Sequence, residues 1–236
     1  MSDDPVSGIS RETLTEGHVQ KLAQTRDGPA SSVLSLEELK ASRRAFLPDD
    51  YTGPDIWIFG YGSLIWNPLV DFDAKCAAHL FGYHRRFCLW TRIGRGSPEC
   101  PGLVLALDRG GSVNGIAFRI PAGIAVRELD MLWRREMLTN SYLPRFVSIH
   151  TDEGKKRALT FIIKRDTPGF AEKMSDEHVS DIIARASGFI GPCAQYLLET
   201  ERALQNFGIA DQHMTRLASM VKTKMTALSP DKSRHF

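Results

Sequence analysis

Apolar and polar positions divide the chain into one short helix, a run of strands interrupted by a second helix, and a closing set of helices. Ser35 to Leu47 (SLEELKASRRAFL) predicts the first helix: Ser35 and Glu38 form an S-x-x-E capping box, and Leu36, Leu39 and Leu47 can share one apolar stripe. Ile56-Trp57-Ile58-Phe59, stopped by Gly60, predicts a buried strand running into a turn. A second strand region spans Ala77 to Trp90, where Leu80, Tyr83, Phe87 and Leu89 mix with His84, Arg85 and Arg86, as expected of a sheet with one wet face. Leu103–Leu107 and Val113–Ile120 read as strands joined by a hairpin through Asp108-Arg109-Gly110-Gly111. Pro121 then opens a helix over Ala125 to Leu138, with Val126, Leu129, Leu132 and Trp133 at i, i+3, i+4 spacing. Two more strands, Arg145–Thr151 and Arg157–Lys164, flank the turn Asp152-Glu153-Gly154. After Pro168 the pattern is helical over Asp176–Ala186, Pro192–Phe207 and Asp211–Lys224. Mostly antiparallel strands followed by helices define an α+β fold, and short strands with hairpin links suit a small barrel or strongly curled sheet.

Residues 1–50 are polar, contain Gly28-Pro29-Ala30-Ser31-Ser32, and read as a flexible leader with local helical turns. The body is expected over 51–228 and a frayed tail over 229–236. Thirty Lys+Arg against 28 Asp+Glu leave a formal charge of +2 on 236 residues, too balanced to predict a nucleic-acid or membrane-surface protein. No apolar run approaches the ~18 residues of a membrane span, and the acidic, polar N-terminus is no secretory signal. Cys76, Cys88, Cys100 and Cys193 form no C-x-x-C pair and have no His at ligand spacing, so no structural metal is expected. A soluble, cytoplasmic protein, monomer or weak homodimer, is the working class.

Two places carry candidate chemistry. Phe59-Gly60-Tyr61-Gly62-Ser63-Leu64 follows the first buried strand; glycines there permit positive φ and bring bare backbone close to a ligand. Successive N–H groups of such a turn can hold a carboxylate or phosphate oxygen, with the Ser63 hydroxyl beside them. The other reading is a tight turn whose glycines only satisfy geometry. Glu136 lies three residues after Trp133 and four after Leu132, on the apolar stripe of its helix. A carboxylate there is either a buried partner of Arg134, Arg135 or a strand Arg, or a group poised for acid–base work. No G-x-S-x-G elbow, P-loop or dinucleotide fingerprint is present.

The run Trp57-Ile58-Phe59-Gly60-Tyr61-Gly62-Ser63-Leu64-Ile65-Trp66 resembles the opening signature of the ChaC family of γ-glutamylcyclotransferases, which act on glutathione. The resemblance continues through Gly82–Phe87, Pro101–Val104, Gly115–Arg119, Leu132–Met137 and Ile190–Leu197, in order, and covers about Asp55 to Phe207. It implies a γ-glutamylcyclotransferase-like fold, a small mixed β-barrel with surrounding helices and a pocket at one end. It also implies a reaction without cofactor or metal: the γ-glutamyl α-amine attacks its own γ-carbonyl, releasing 5-oxoproline and Cys-Gly. On this resemblance Glu136 matches the catalytic glutamate, and Phe59, Gly60, Tyr61, Gly62, Ser63 and Leu64 match the substrate loop. Tyr142 and Tyr196 match aromatic hydroxyls near the γ-glutamyl group, and Arg95 is a further candidate for the glycyl carboxylate. Two alternatives remain at this point: a cyclotransferase for other γ-glutamyl amino acids or amines, and a non-catalytic regulatory γ-glutamyl-binding protein.

Overall fold

Two long strands, β2 (Ala74–Thr91) and β3 (Gly102–Ile120), pair antiparallel along most of their length and set the frame. The structure is a computed structural model and describes residues 9–15, 17, 20, 21, 23 and 33–228. The remaining leader residues and the tail expected over 229–236 lie outside the described residues. β1 (Ile56–Gly60) adds antiparallel to the end of β3, and the hairpin β4 (Tyr142–Thr151) and β5 (Gly154–Ile163) adds through β4 to β2. β5 returns parallel to β1, with one further pairing to β3, so the order β1-β3-β2-β4-β5 closes into a barrel and leaves no free edge.

The expected hairpin at Asp108–Gly111 does not exist; β3 runs through it unbroken. Phe81 pairs with Ser112 and Tyr83 with Arg109, so Gly110 and Gly111 together oppose the single Gly82, a β-bulge. All three glycines have positive φ (84° at Gly82, 99° at Gly110, 70° at Gly111), a backbone that favours glycine at each of these positions. A glycine pair signals an unusual backbone, and here it is a register shift within a continuous strand rather than a chain reversal.

Strand alternation sends neighbouring residues of β2 and β3 to different cores. Phe87, Leu103, Leu105, Ile116 and Phe118 pack with α4 (Asp176–Arg185), α5 (Cys193–Asn206) and α6 (Gln212–Leu228). Cys88 and Ala106 face the other way, towards Phe161 and α3 (Ala125–Glu136), which contributes Leu129, Leu132 and Trp133 as its periodicity predicts. α2 (Leu36–Phe46) carries the expected capping box: Ser35 Oγ accepts from Glu38 N–H at 3.2 Å, and Ser35 N–H donates to Glu38 Oε2 at 2.7 Å. Its buried Arg43 donates to Asp130 at 2.7 Å and pairs with Asp49, which ties α2 to α3. Part of the leader also lies on the body: α1 (Arg11–Thr15) buries Leu14. Ser187–Gly188 and Gly191–Pro192 form a small two-stranded pair before α5. Among the described residues no helix is long and apolar enough to cross a membrane.

Candidate active site

A cavity of about 220 Å³ opens where β1 ends, α3 ends, β4 begins and α5 passes. Tyr61, Gly62, Ser63, Leu64, Glu136, Tyr142 and Tyr196 all line it, so the two sequence signals and both tyrosines meet in one place. Phe59 and Gly60, expected beside them, do not reach its wall: Phe59 is fully buried among Leu107, Ala117 and their neighbours, and Gly60 is the last paired residue of β1.

The turn differs from expectation in one respect. Neither Gly60 nor Gly62 has positive φ; Gly62 sits at φ −138° and leads into a 3-10 turn, Ser63–Ile65. Their requirement is close approach. A Cβ on residue 60 would stand 3.0 Å from the Leu64 Cβ, and one on residue 62 would stand 2.9 Å from the Tyr196 hydroxyl. The first N–H groups of such a turn have no acceptor within it and are left for other partners.

Arg135 joins this turn to the end of α3. Its Nη2 donates to Ser63 Oγ at 2.8 Å, its Nη1 donates to the Asn67 carbonyl, and its Nε lies 3.0 Å from Glu136 Oε1. Glu136 is therefore ion-paired and at the cavity together. Its side chain is 13% exposed. Burial pushes its carboxyl above the ordinary value, and the Arg135 cation only partly opposes that. Tyr61 OH donates to the Phe161 carbonyl at 2.9 Å, and Tyr142 OH donates to the Leu105 carbonyl at 3.1 Å. Burial, with Glu136 contributing, raises all three tyrosine hydroxyls, so they remain neutral phenols at physiological pH. Tyr196 is fixed edge-on between Trp66 and Phe87, with ring centroids 6.4 and 6.3 Å away.

The far wall holds Arg95, 5% exposed, whose Nη1 donates to Gln195 Oε1 at 2.8 Å and to the Pro192 carbonyl at 3.2 Å. Cys193, the first residue of α5, is buried and donates to the Leu103 carbonyl at 2.9 Å. The sequence reading missed Arg135 as the clamp on Ser63, and it missed Ile9 and Leu14 in the cavity wall. Arg135 is marked locally only as a partner for Glu136, a pairing the structure contains, and nothing local marks Ile9 or Leu14. Among the described residues no three His, Cys, Asp or Glu side chains converge to hold a metal ion.

A closed five-stranded mixed barrel, helices outside and a cavity at one end are the features of a γ-glutamylcyclotransferase fold. The structure is similar to that of a yeast γ-glutamyl cyclotransferase specific to glutathione, with a TM-score of 0.68 and 22% identity, covering 72% of this chain and 97% of that one. The family model of ChaC-like proteins matches residues 56–224, and the chain belongs to the ChaC family. It is 40% identical over 205 residues to the glutathione-specific γ-glutamylcyclotransferase of Escherichia coli (strain K12), covering 85% of this chain and 87% of the relative. It is 28% identical over 182 residues to human glutathione-specific γ-glutamylcyclotransferase 1, covering 74% and 82% of the two chains. The corresponding Schizosaccharomyces pombe enzyme is 29% identical over 194 residues, covering 72% of this chain and 94% of its own.

Proposed function

We propose that this chain is a cytoplasmic γ-glutamylcyclotransferase that cleaves glutathione to 5-oxoproline and cysteinylglycine, with Glu136 as the proton carrier. The observation that carries this reading is a nearly buried carboxylate, Glu136, lining the same cavity as the glycine turn, with Arg135 joined to both. The names and coverage of the relatives support the substrate.

The chemistry follows from the groups present. An α-amine has a pKa of about 8, so it arrives largely as the ammonium and cannot attack until it loses a proton. A desolvated carboxylate with raised proton affinity accepts that proton. The freed amine nitrogen attacks the γ-carbonyl carbon of its own residue. Five-membered ring closure is intramolecular, so the cavity mainly has to hold the folded conformer and move protons. The oxyanion that forms is held by N–H groups of the Tyr61–Leu64 turn, which also suit the α-carboxylate. Collapse breaks the γ-amide C–N bond as Glu136 returns its proton to the departing cysteinyl nitrogen; the second proton shed by the attacking nitrogen passes by the same carboxylate to the released amine, which leaves as its ammonium. The lactam gains one C–N bond as the amide loses one; no water is consumed and no cofactor is required. The neutral Tyr142 and Tyr196 hydroxyls flank the γ-glutamyl end. Arg95 has guanidinium donors beyond the two bonds of Nη1, which suits the glycyl carboxylate. We take the catalytic domain as 51–228 and the protein as a monomer or weak homodimer.

The deciding assay is 5-oxoproline release from glutathione, with γ-glutamyl-alanine and the Glu136→Gln protein in parallel. Product from glutathione, lost in the variant, supports reaction, substrate and base together. Equal rates on γ-glutamyl-alanine would move the substrate to γ-glutamyl amino acids in general. Tight glutathione binding without product would make the chain a binding protein.

A further inference from the structure

The family match begins at residue 56, yet the cavity wall includes Ile9 and Leu14. Both belong to the short segment that contains α1, and that segment is fastened to the outside of α3 at two points. Arg11 grips Glu128 with two bonds, Nη1 to Oε2 at 2.6 Å and Nη2 to Oε1 at 3.0 Å, and Nη1 also donates to the Leu69 carbonyl at 2.9 Å. At the other end Arg134 Nη1 donates to the carbonyls of Thr15 at 2.8 Å and Leu14 at 3.2 Å.

Glu128 is built for this partner. Its side chain is fully buried, and its other bonds come from Arg127 Nε at 2.8 Å and the Asp71 N–H at 2.8 Å. Burial alone would push its carboxyl up; the Arg11 fork, the Asp71 N–H and Arg127 together hold it below the ordinary value. A planar guanidinium matched to both carboxylate oxygens fixes orientation as well as position. The segment also holds itself together: Thr13 N–H donates to Ser10 Oγ at 3.1 Å and Ser10 N–H donates to Thr13 Oγ1 at 2.9 Å. α3 is the helix that ends in Glu136, so the same helix presents the base at its end and anchors the covering segment on its flank.

We propose that Ile9–Thr15 is a specificity strap that walls the outer part of the substrate cavity and limits the size of the group joined to the γ-glutamyl unit, with Arg11 as the positioning residue that latches it to Glu128. This rests on the γ-glutamyl reading of the cavity given above. Ile9 and Leu14 are supplied from outside the barrel, and the γ-glutamyl end is held by the turn and tyrosines within it. The strap therefore meets the leaving portion of the substrate. Loss of the latch leaves the tyrosines, Arg135 and Glu136 in place and removes an apolar wall.

The test compares glutathione with S-hexylglutathione, by 5-oxoproline release, in the full-length wild type, Arg11→Ala, Arg11→Lys and Leu14→Ala. The wild type is expected to prefer glutathione. Arg11→Ala and Leu14→Ala are expected to narrow that preference by at least about tenfold, chiefly through KM, since a change of pocket wall discriminates on that scale. Arg11→Lys, which keeps the charge and loses the fork, falls between. Leu14→Ala keeps the latch and carries the test if Arg11→Ala proves unstable by its Tm. Folded, active variants with the wild-type preference would overturn the strap alone. A wild type that turns over both substrates equally would overturn it too. No product from the wild type would overturn the γ-glutamyl reading and the strap with it.

Discussion

The Tyr196 hydroxyl stands 2.9 Å from where a Cβ on residue 62 would be, and the Tyr196 ring packs edge-on against Trp66 and Phe87. Gly62→Ala must therefore displace either the turn or the tyrosine. Displacements of about 1 Å at a reacting centre cost on the order of a hundredfold, and we expect kcat/KM on glutathione to fall by about that factor. The Tm is expected to stay near the wild-type value, because the clash involves the end of one side chain.

Glu136→Gln is expected to lower kcat by about 10²–10⁴, the range for loss of a positioned proton carrier. It is also expected to stabilise the chain at neutral pH. Burial raises the Glu136 carboxyl, so the folded chain keeps this proton to a higher pH than the unfolded chain does. The folded state is penalised as pH climbs from the unfolded value through the folded one, and the penalty is complete above it. Gln carries none of it. Thermal unfolding should give the variant the higher Tm at pH 7, with the difference vanishing below about pH 4.

Arg135 bears on the same titration from the other side. It is the cation that opposes the effect of burial on Glu136, so Arg135→Ala should raise that carboxyl further. The acid limb of kcat/KM against pH is then expected to move to higher pH. Arg135→Lys keeps a positive charge but cannot reach Ser63, Asn67 and Glu136 together. Its acid limb should stay closer to wild type while its rate falls, which separates charge from geometry.

Gly82→Val tests the bulge without touching the cavity. The residue is exposed with φ 84°, where a β-branched side chain is strained. The expected cost is at least about 1–2 kcal/mol, a few degrees of Tm at this chain length. Turnover of glutathione below the new Tm should match wild type.

How far each feature was legible depended on how far apart its determining residues lie. The Ser35–Glu38 capping box and the place of Glu136 on its helix are decided within one or two turns, and both stand where the sequence puts them. The Gly110-Gly111 pair looks the same as a hairpin tip or as a bulge until Gly82 is set opposite it. Gly62 is needed because of Tyr196, on a different element, and not for the positive φ that a glycine turn invites one to expect. Arg11 and Glu128 are 117 residues apart, so no window of the sequence joins them. Tyr142 and Tyr196 stood out only through the family resemblance, since a buried tyrosine on a strand or helix is ordinary core.

The four cysteines divide by burial. All are free, and the two in the core, Cys88 and Cys193, have thiols that burial pushes up to about 12. Exchange with a disulfide requires a thiolate, and at physiological pH neither supplies one in useful amount. Cys193, at the head of the helix that carries Tyr196, is thus kept from forming a mixed disulfide there, and of the four thiols only that of Cys100 lies on an exposed residue, open to the medium.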